Sequence, residues 1–258
     1  MKKIICVLGL FVATTISGCF ELATETTINE DGSGVYTSST DMGNIIAMLK
    51  MMGDDAKELD SLKKDTVISL AYLKDSLAGI SETQKRILTN ATLRVIFDIS
   101  EEKMLLNFSF PFDKISEMAE IDGILTNSSQ NILNKQLEFL VPKEENEAER
   151  MDLGADQNSI PNLDKYFDYT YEKGKLSKKI NQAKYAELLK DPMLKNMKEM
   201  GQMGNPMSLK TVFNLPRAVK KAEGIGLTLS ADKKKITIET TIDDLFDQPE
   251  KLEYEIEY

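Results

Sequence analysis

Phe20, Leu22, Thr24, Thr26 and Ile28 alternate with Glu21, Glu25 and Asn29, the period-two pattern of a half-buried strand. Asn29-Glu30-Asp31-Gly32-Ser33-Gly34 is rich in turn formers, and Val35 to Thr40 reads as a returning strand, so this stretch predicts a hairpin. The period then lengthens. Asp41 is placed to cap a helix carrying Ile45, Ile46, Met48, Leu49 and Met52 on one face, with Gly53 ending it. Short helices are predicted over 65–77 and 81–88, the second opened by Ser81 and Gln84 as a capping box. Leu93, Val95, Phe97 and Ile99, a polar turn at 100–103, and Leu106, Phe108 and Phe110 predict a second hairpin. Helical signals follow over 113–118 and 123–137.

Residues 143–162 are acidic and poor in large apolar side chains, which reads as an exposed loop or linker. A third hairpin is predicted from strands 166–171 and 175–180, after which Asn181 caps one helix running to about Met200. The tail predicts strands over 209–213, 225–229, 236–242 and 252–258. In the last, Leu252, Tyr254, Ile256 and Tyr258 face one way, while Glu253, Glu255 and Glu257 face the other. Three times a hairpin is followed by helix. The expected architecture is α+β: a mostly antiparallel sheet built from hairpins, with helices packed on one face.

The amino-terminal segment follows a different logic. Lys2 and Lys3 precede an apolar run from Ile4 to Ile16, and small residues follow, the order of a secretory signal. The run is too short for the roughly 20 apolar residues of a membrane-spanning helix. Ile16, Ser17 and Gly18 before Cys19 form a lipobox, the signal for cleavage before the cysteine and acylation of its sulfur. Residues 1–18 are therefore expected to be removed as a lipoprotein signal peptide, leaving 19–258 as an anchored domain. One acyl chain binds membranes only marginally, and a diacylglycerol on the sulfur meets the need for more. Phe20 stands where aspartate favours inner-membrane retention in enteric-type envelopes, so the outer membrane is the expected address. The first strand begins one residue after Cys19, which predicts a domain held close against its membrane.

Composition narrows the chemistry. The chain has 258 residues, 42 acidic against 32 basic side chains, and a net charge of −10. Loss of Lys2 and Lys3 makes the remainder two units more acidic, a surface that disfavours nucleic acid. Its short basic clusters, Lys178-Lys179 and Lys233-Lys234-Lys235, are placed at turns or strand ends. Only two cysteines occur: Cys6 leaves with the signal and Cys19 carries lipid, so no disulfide is expected. Histidine is absent, which excludes Ser-His-Asp and Cys-His catalysis and His-ligated zinc. Tryptophan, the commonest sugar-stacking platform, is absent too, although eight tyrosines remain. No cofactor is expected.

Three patterns offer candidate sites. Asn29, Asp31, Ser33 and Gly34 match the start of a calcium loop, but Thr40 stands where the bidentate glutamate belongs, so the hairpin turn is favoured. Met193, Met197, Met200, Met203 and Met207 form a thioether-rich stretch of the kind that binds Cu(I) or Ag(I). The first three also follow helical spacing, and methionine is a common core filler, which is the favoured reading. Asp54-Asp55, Glu101-Glu102 and Asp243-Asp244 are carboxylate pairs that a hydrolase would need. Neighbours in sequence point apart on strands and helices, and so many acids produce such pairs as solvated surface.

The order of lipobox, strand, Asp31-Gly32-Ser33-Gly34 turn, strand and Met-bearing helix, with a tail ending Leu252-Glu253-Tyr254-Glu255-Ile256, resembles a group of uncharacterised bacterial envelope lipoproteins. More distantly, it resembles the LppM-type lipoprotein domain. The resemblance implies an α+β domain burying an apolar ligand between sheet and helices, with no catalytic residue to carry over. The expectation is a non-catalytic envelope lipoprotein, anchored through Cys19, that binds a lipid or an envelope protein. The alternatives are a methionine-based Cu(I)/Ag(I) binder and, behind it, a carboxylate-dependent hydrolase.

Overall fold

The alternation of the first segment becomes two paired strands, β1 (Glu21–Ile28) and β2 (Gly34–Asp41), in register from Glu21 opposite Asp41 to Ile28 opposite Gly34. The computed structural model describes residues 21–43, 46, 63–77, 79–125, 163–202 and 207–258. The helix expected after Asp41 and the acidic segment 143–162 lie largely or wholly outside these residues. Asp41 does accept a 2.9 Å hydrogen bond from the Gly43 amide, as a helix cap should.

Next come β3 (Lys63–Ser69), the short helix α1 (Leu73–Ser76), α2 (Glu82–Asn90), β4 (Thr92–Asp98) and β5 (Lys103–Phe112). The helix expected over 65–77 is thus corrected to a strand and one helical turn. Thr66, Val67 and Ile68 are β-branched, stiff at χ1, and pair with β4 along its whole length. The Ser81 cap behaves as its sequence demands: its hydroxyl accepts from the Gln84 amide, and the Gln84 side chain accepts from the Ser81 amide. A 3-10 turn at Ile115–Glu117 leads into α3, described over 118–125.

The second half supplies β6 (Phe167–Glu172), β7 (Lys175–Ile180), α4 (Gln182–Leu188), α5 (Pro192–Gln202) and β8 (Ser208–Asn214). It ends with β9 (Lys221–Glu223), β10 (Leu227–Leu229), β11 (Lys235–Thr241), α6 (Ile242–Asp247) and β12 (Tyr254–Glu257). The single helix expected from Asn181 to Met200 is two. Pro192 cannot donate to a continuing helix, and Asp191 before it accepts from the Leu194 amide, starting a new one. The last strand is also shorter than expected, because Pro249–Leu252 winds into a 3-10 turn.

Among the described residues the strands form an eight-stranded sheet, ordered β10-β11-β8-β1-β2-β5-β4-β3, and a four-stranded sheet, β6-β7-β12-β9. The fold is α+β and mostly antiparallel. The exception is the β1–β8 pair, parallel with Leu22 beside Leu209 and Thr26 beside Phe213. Two features escaped the sequence reading: this parallel pair, and a second sheet sharing the inner face with the helices.

One face of the large sheet carries the main core. Tyr36, Phe108, Phe110, Phe112, Leu93 and Val95 pack with Leu73, Ile87, Leu88, Met118 and Ile121 from the helices. Ile28, Phe213, Ile236 and Ile238 pack with Leu176, Tyr254 and Ile256 of the small sheet. A second cluster forms at the end where β1 and β8 begin, from Leu188, Leu194, Met207, Ile242, Leu245, Tyr166 and Phe167, with Leu22 and Leu209 against it. Between them Thr26, Thr40 and Thr240 are buried, and Thr24 donates to the Thr211 hydroxyl at 3.3 Å.

The turn between β4 and β5 is tied by a buried carboxylate. Asp98 is 2 % exposed, lies 2.7 Å from the Lys63 ammonium, and accepts from the Ser100 hydroxyl and the Glu101 amide. The Lys63 contact, with Ser100 second, holds its carboxyl well below the usual carboxylate range. A lowered folded-state pKa means that the stabilisation is complete above the unfolded value of about 4 and is lost as pH falls below it. Urea unfolding should therefore show Asp98→Asn less stable than the parent at pH 6, with the gap narrowing below about pH 4. A gap independent of pH would contradict this account.

Candidate functional site

The lipobox residues Ile16, Ser17 and Gly18, and Cys19 itself, lie outside the described residues. What is visible is where the chain enters the fold. Glu21, two positions after Cys19 in the sequence, starts β1, a strand with neighbours on both sides in the large sheet. The parallel pairing puts Ser208, at the start of β8, beside Glu21, and the antiparallel β11 ends there with Thr241 beside Ser208. Helices α4, α5 and α6 gather at this same end through the second apolar cluster.

An open depression of about 320 Å³ lies there, lined by Glu21, Lys210, Glu239, Thr241 and Asp244 among others. Its charges are largely matched. Lys210 approaches Glu239 at 3.0 Å, and that carboxylate raises the lysine's pKa. Burial pushes the Asp244 carboxyl up, but hydrogen bonds from Lys251 and from the amide and hydroxyl of Thr241 outweigh it and hold it below its ordinary value. Asp244 is thus the second half of a capping box that starts α6. A general acid needs the opposite shift, a raised pKa.

The other sequence candidates disperse. Glu101 and Glu102 sit on the exposed β4–β5 turn, with Glu102 at φ 51°; Asp54 and Asp55 lie outside the described residues. The loop at Asn29–Gly34 closes on itself: the Asn29 amide group donates to the Ser33 hydroxyl, and Ser33 donates through both its amide and its hydroxyl to Asp31. Those bonds hold the Asp31 carboxyl below its ordinary pKa, as a turn-forming aspartate should be.

Of the methionines, Met193, Met197 and Met200 lie on α5, Met207 precedes β8, and Met203 lies outside the described residues. Met207 is 6 % exposed in the second cluster, and Met197 packs against it. Lys178 and Lys179 sit within β7 and point to opposite faces. The Lys178 ammonium lies 4.1 Å from the Phe167 ring centroid and 5.5 Å from that of Tyr169, a cation–π arrangement on the inner face that no local signal announced. The chain matches no protein-family model, no curated protein and no solved structure.

Proposed function

We propose that this chain is a non-catalytic lipoprotein of a bacterial cell envelope, held by acyl chains on Cys19 and acting as a binding or structural module for an envelope protein or a lipid. One observation carries the reading. The Ile16-Ser17-Gly18-Cys19 lipobox ends two residues before Glu21, where a central strand of the large sheet is already formed. A cysteine so placed joins the bilayer to the core of the fold with almost no slack. Several features support a non-catalytic role: no histidine, no thiol after Cys19, and matched carboxylates in the depression beside Glu21. The apolar packing of Met197 and Met207 favours core over metal ligation.

The test is Cys19→Ser in cells fed labelled palmitate. The parent should incorporate label and sediment with membranes; the variant should remain unlabelled and unprocessed. A variant that is still processed and labelled would defeat the lipid-anchor reading.

A further inference from the structure

The helical corner at the anchored end is locally basic in a chain that is acidic as a whole. Between Lys178 and Gln202 there are six lysines against three carboxylates, in a chain where acids outnumber bases 42 to 32. Lys184, Lys190 and Lys195 of this stretch are exposed, and so is Leu189, at 39 % one of five large apolar side chains left in solvent among the described residues. All four lie on α4, α5 and the corner between them. Leu188 and Leu194 point the other way, into the second cluster with Leu22 and Leu209 at the start of β1 and β8. The corner is therefore at the end of the fold nearest Cys19. The turn at Ser230–Lys234 is at the opposite end, roughly 23 Å away along β1 at about 3.3 Å per residue.

We propose that the α4–α5 corner is a second membrane contact. Leu189 enters the headgroup layer of the bilayer that holds Cys19, and Lys184, Lys190 and Lys195 attract its anionic phospholipids. This rests on the lipid-anchor reading above. The physical argument is the pairing of a short tether with complementary charge. With Phe20 alone between Cys19 and Glu21, some part of this end must touch headgroups, and a corner with an apolar tip flanked by lysines is suited to them. Carboxylates at the same end are drawn off by partners: Asp247 by Lys198, Asp244 by Lys251 and Glu239 by Lys210. Glu21 and Asp41, with Glu187 and Glu199 exposed on α4 and α5, oppose the attraction.

The absence of tryptophan makes the test clean. The full-length lipid-anchored protein, bearing either Leu189→Trp or Ala231→Trp, is reconstituted into vesicles of phosphatidylcholine and phosphatidylglycerol with brominated acyl chains. Trp at 189 should lose most of its emission and Trp at 231 almost none. Adding Lys190→Glu and Lys195→Glu to Leu189→Trp should restore much of the lost emission. If both single variants float with the vesicles yet are equally bright or equally quenched, the corner is not the contact, although the anchor stands. If neither floats, the anchor reading itself fails and this one with it.

Discussion

Gly34→Ala is expected to destabilise the protein by more than about 3 kcal/mol, the upper end of ordinary overpacking penalties. A Cβ at this position would lie 2.0 Å from the Thr27 carbonyl oxygen and 2.5 Å from Cζ of Phe112. Neither neighbour has room to give. Thr27 lies on β1, which is paired on both sides, and the Phe112 ring is 2 % exposed in the main core. The nearby Gly32 is the useful comparison. Its φ of +94° disfavours alanine, but nothing lies within 4 Å of a Cβ there. Gly32→Ala should therefore cost only about 1–2 kcal/mol of left-handed strain. Urea midpoints of the two variants measure the difference, and a Gly34→Ala protein as stable as the Gly32→Ala one would refute the close-approach argument.

Phe110→Ala should rank next, at about 3–5 kcal/mol for an aromatic side chain removed from a packed interior. Phe110 is 0 % exposed, opposite Tyr36 on β2, with ring centroids 6.5 Å from Tyr36 and 6.3 Å from Phe108. It sits where helices and strands of the main core meet, so the cavity has walls on every side and little means of collapse. Val67→Ala, on the β3 edge and 62 % exposed, should stay within about 0.5 kcal/mol of the parent. Chemical denaturation with an unchanged slope would attribute both results to native-state stability. A Phe110→Ala loss below about 1 kcal/mol would mean that this region is not close-packed.

The local rules were legible wherever a residue pattern determines its own geometry. The Asn29–Gly34 turn, the Ser81 capping box and the alternation of β4, β5 and β6 all follow from side chains acting on backbone within a few positions. The misread segments are those decided at long range. Residues 65–69 became strand because β4 was there to pair with them, and Val67 and Ile68 prefer the pleated surface. Parallel pairing of β1 with β8, and the assembly of β12 between β7 and β9, have no signature in the individual strands. Of the candidate site residues, Asp243-Asp244 illustrates the ambiguity of composition. A carboxylate pair in sequence is, in the fold, one N-terminal capping group and its neighbour. The placement of α4 and α5 at the Cys19 end was hidden for the same reason, since it depends on which ends of β1 and β8 coincide.

That parallel pair has a consequence for biogenesis. Thr24 bonds to Thr211 across 187 positions, so the strand made first is flanked by one made near the end of synthesis. Loop closure over such separations comes late and slowly in folding. A nascent chain therefore has no way to complete this sheet while its carboxy-terminal fifth is still on the ribosome.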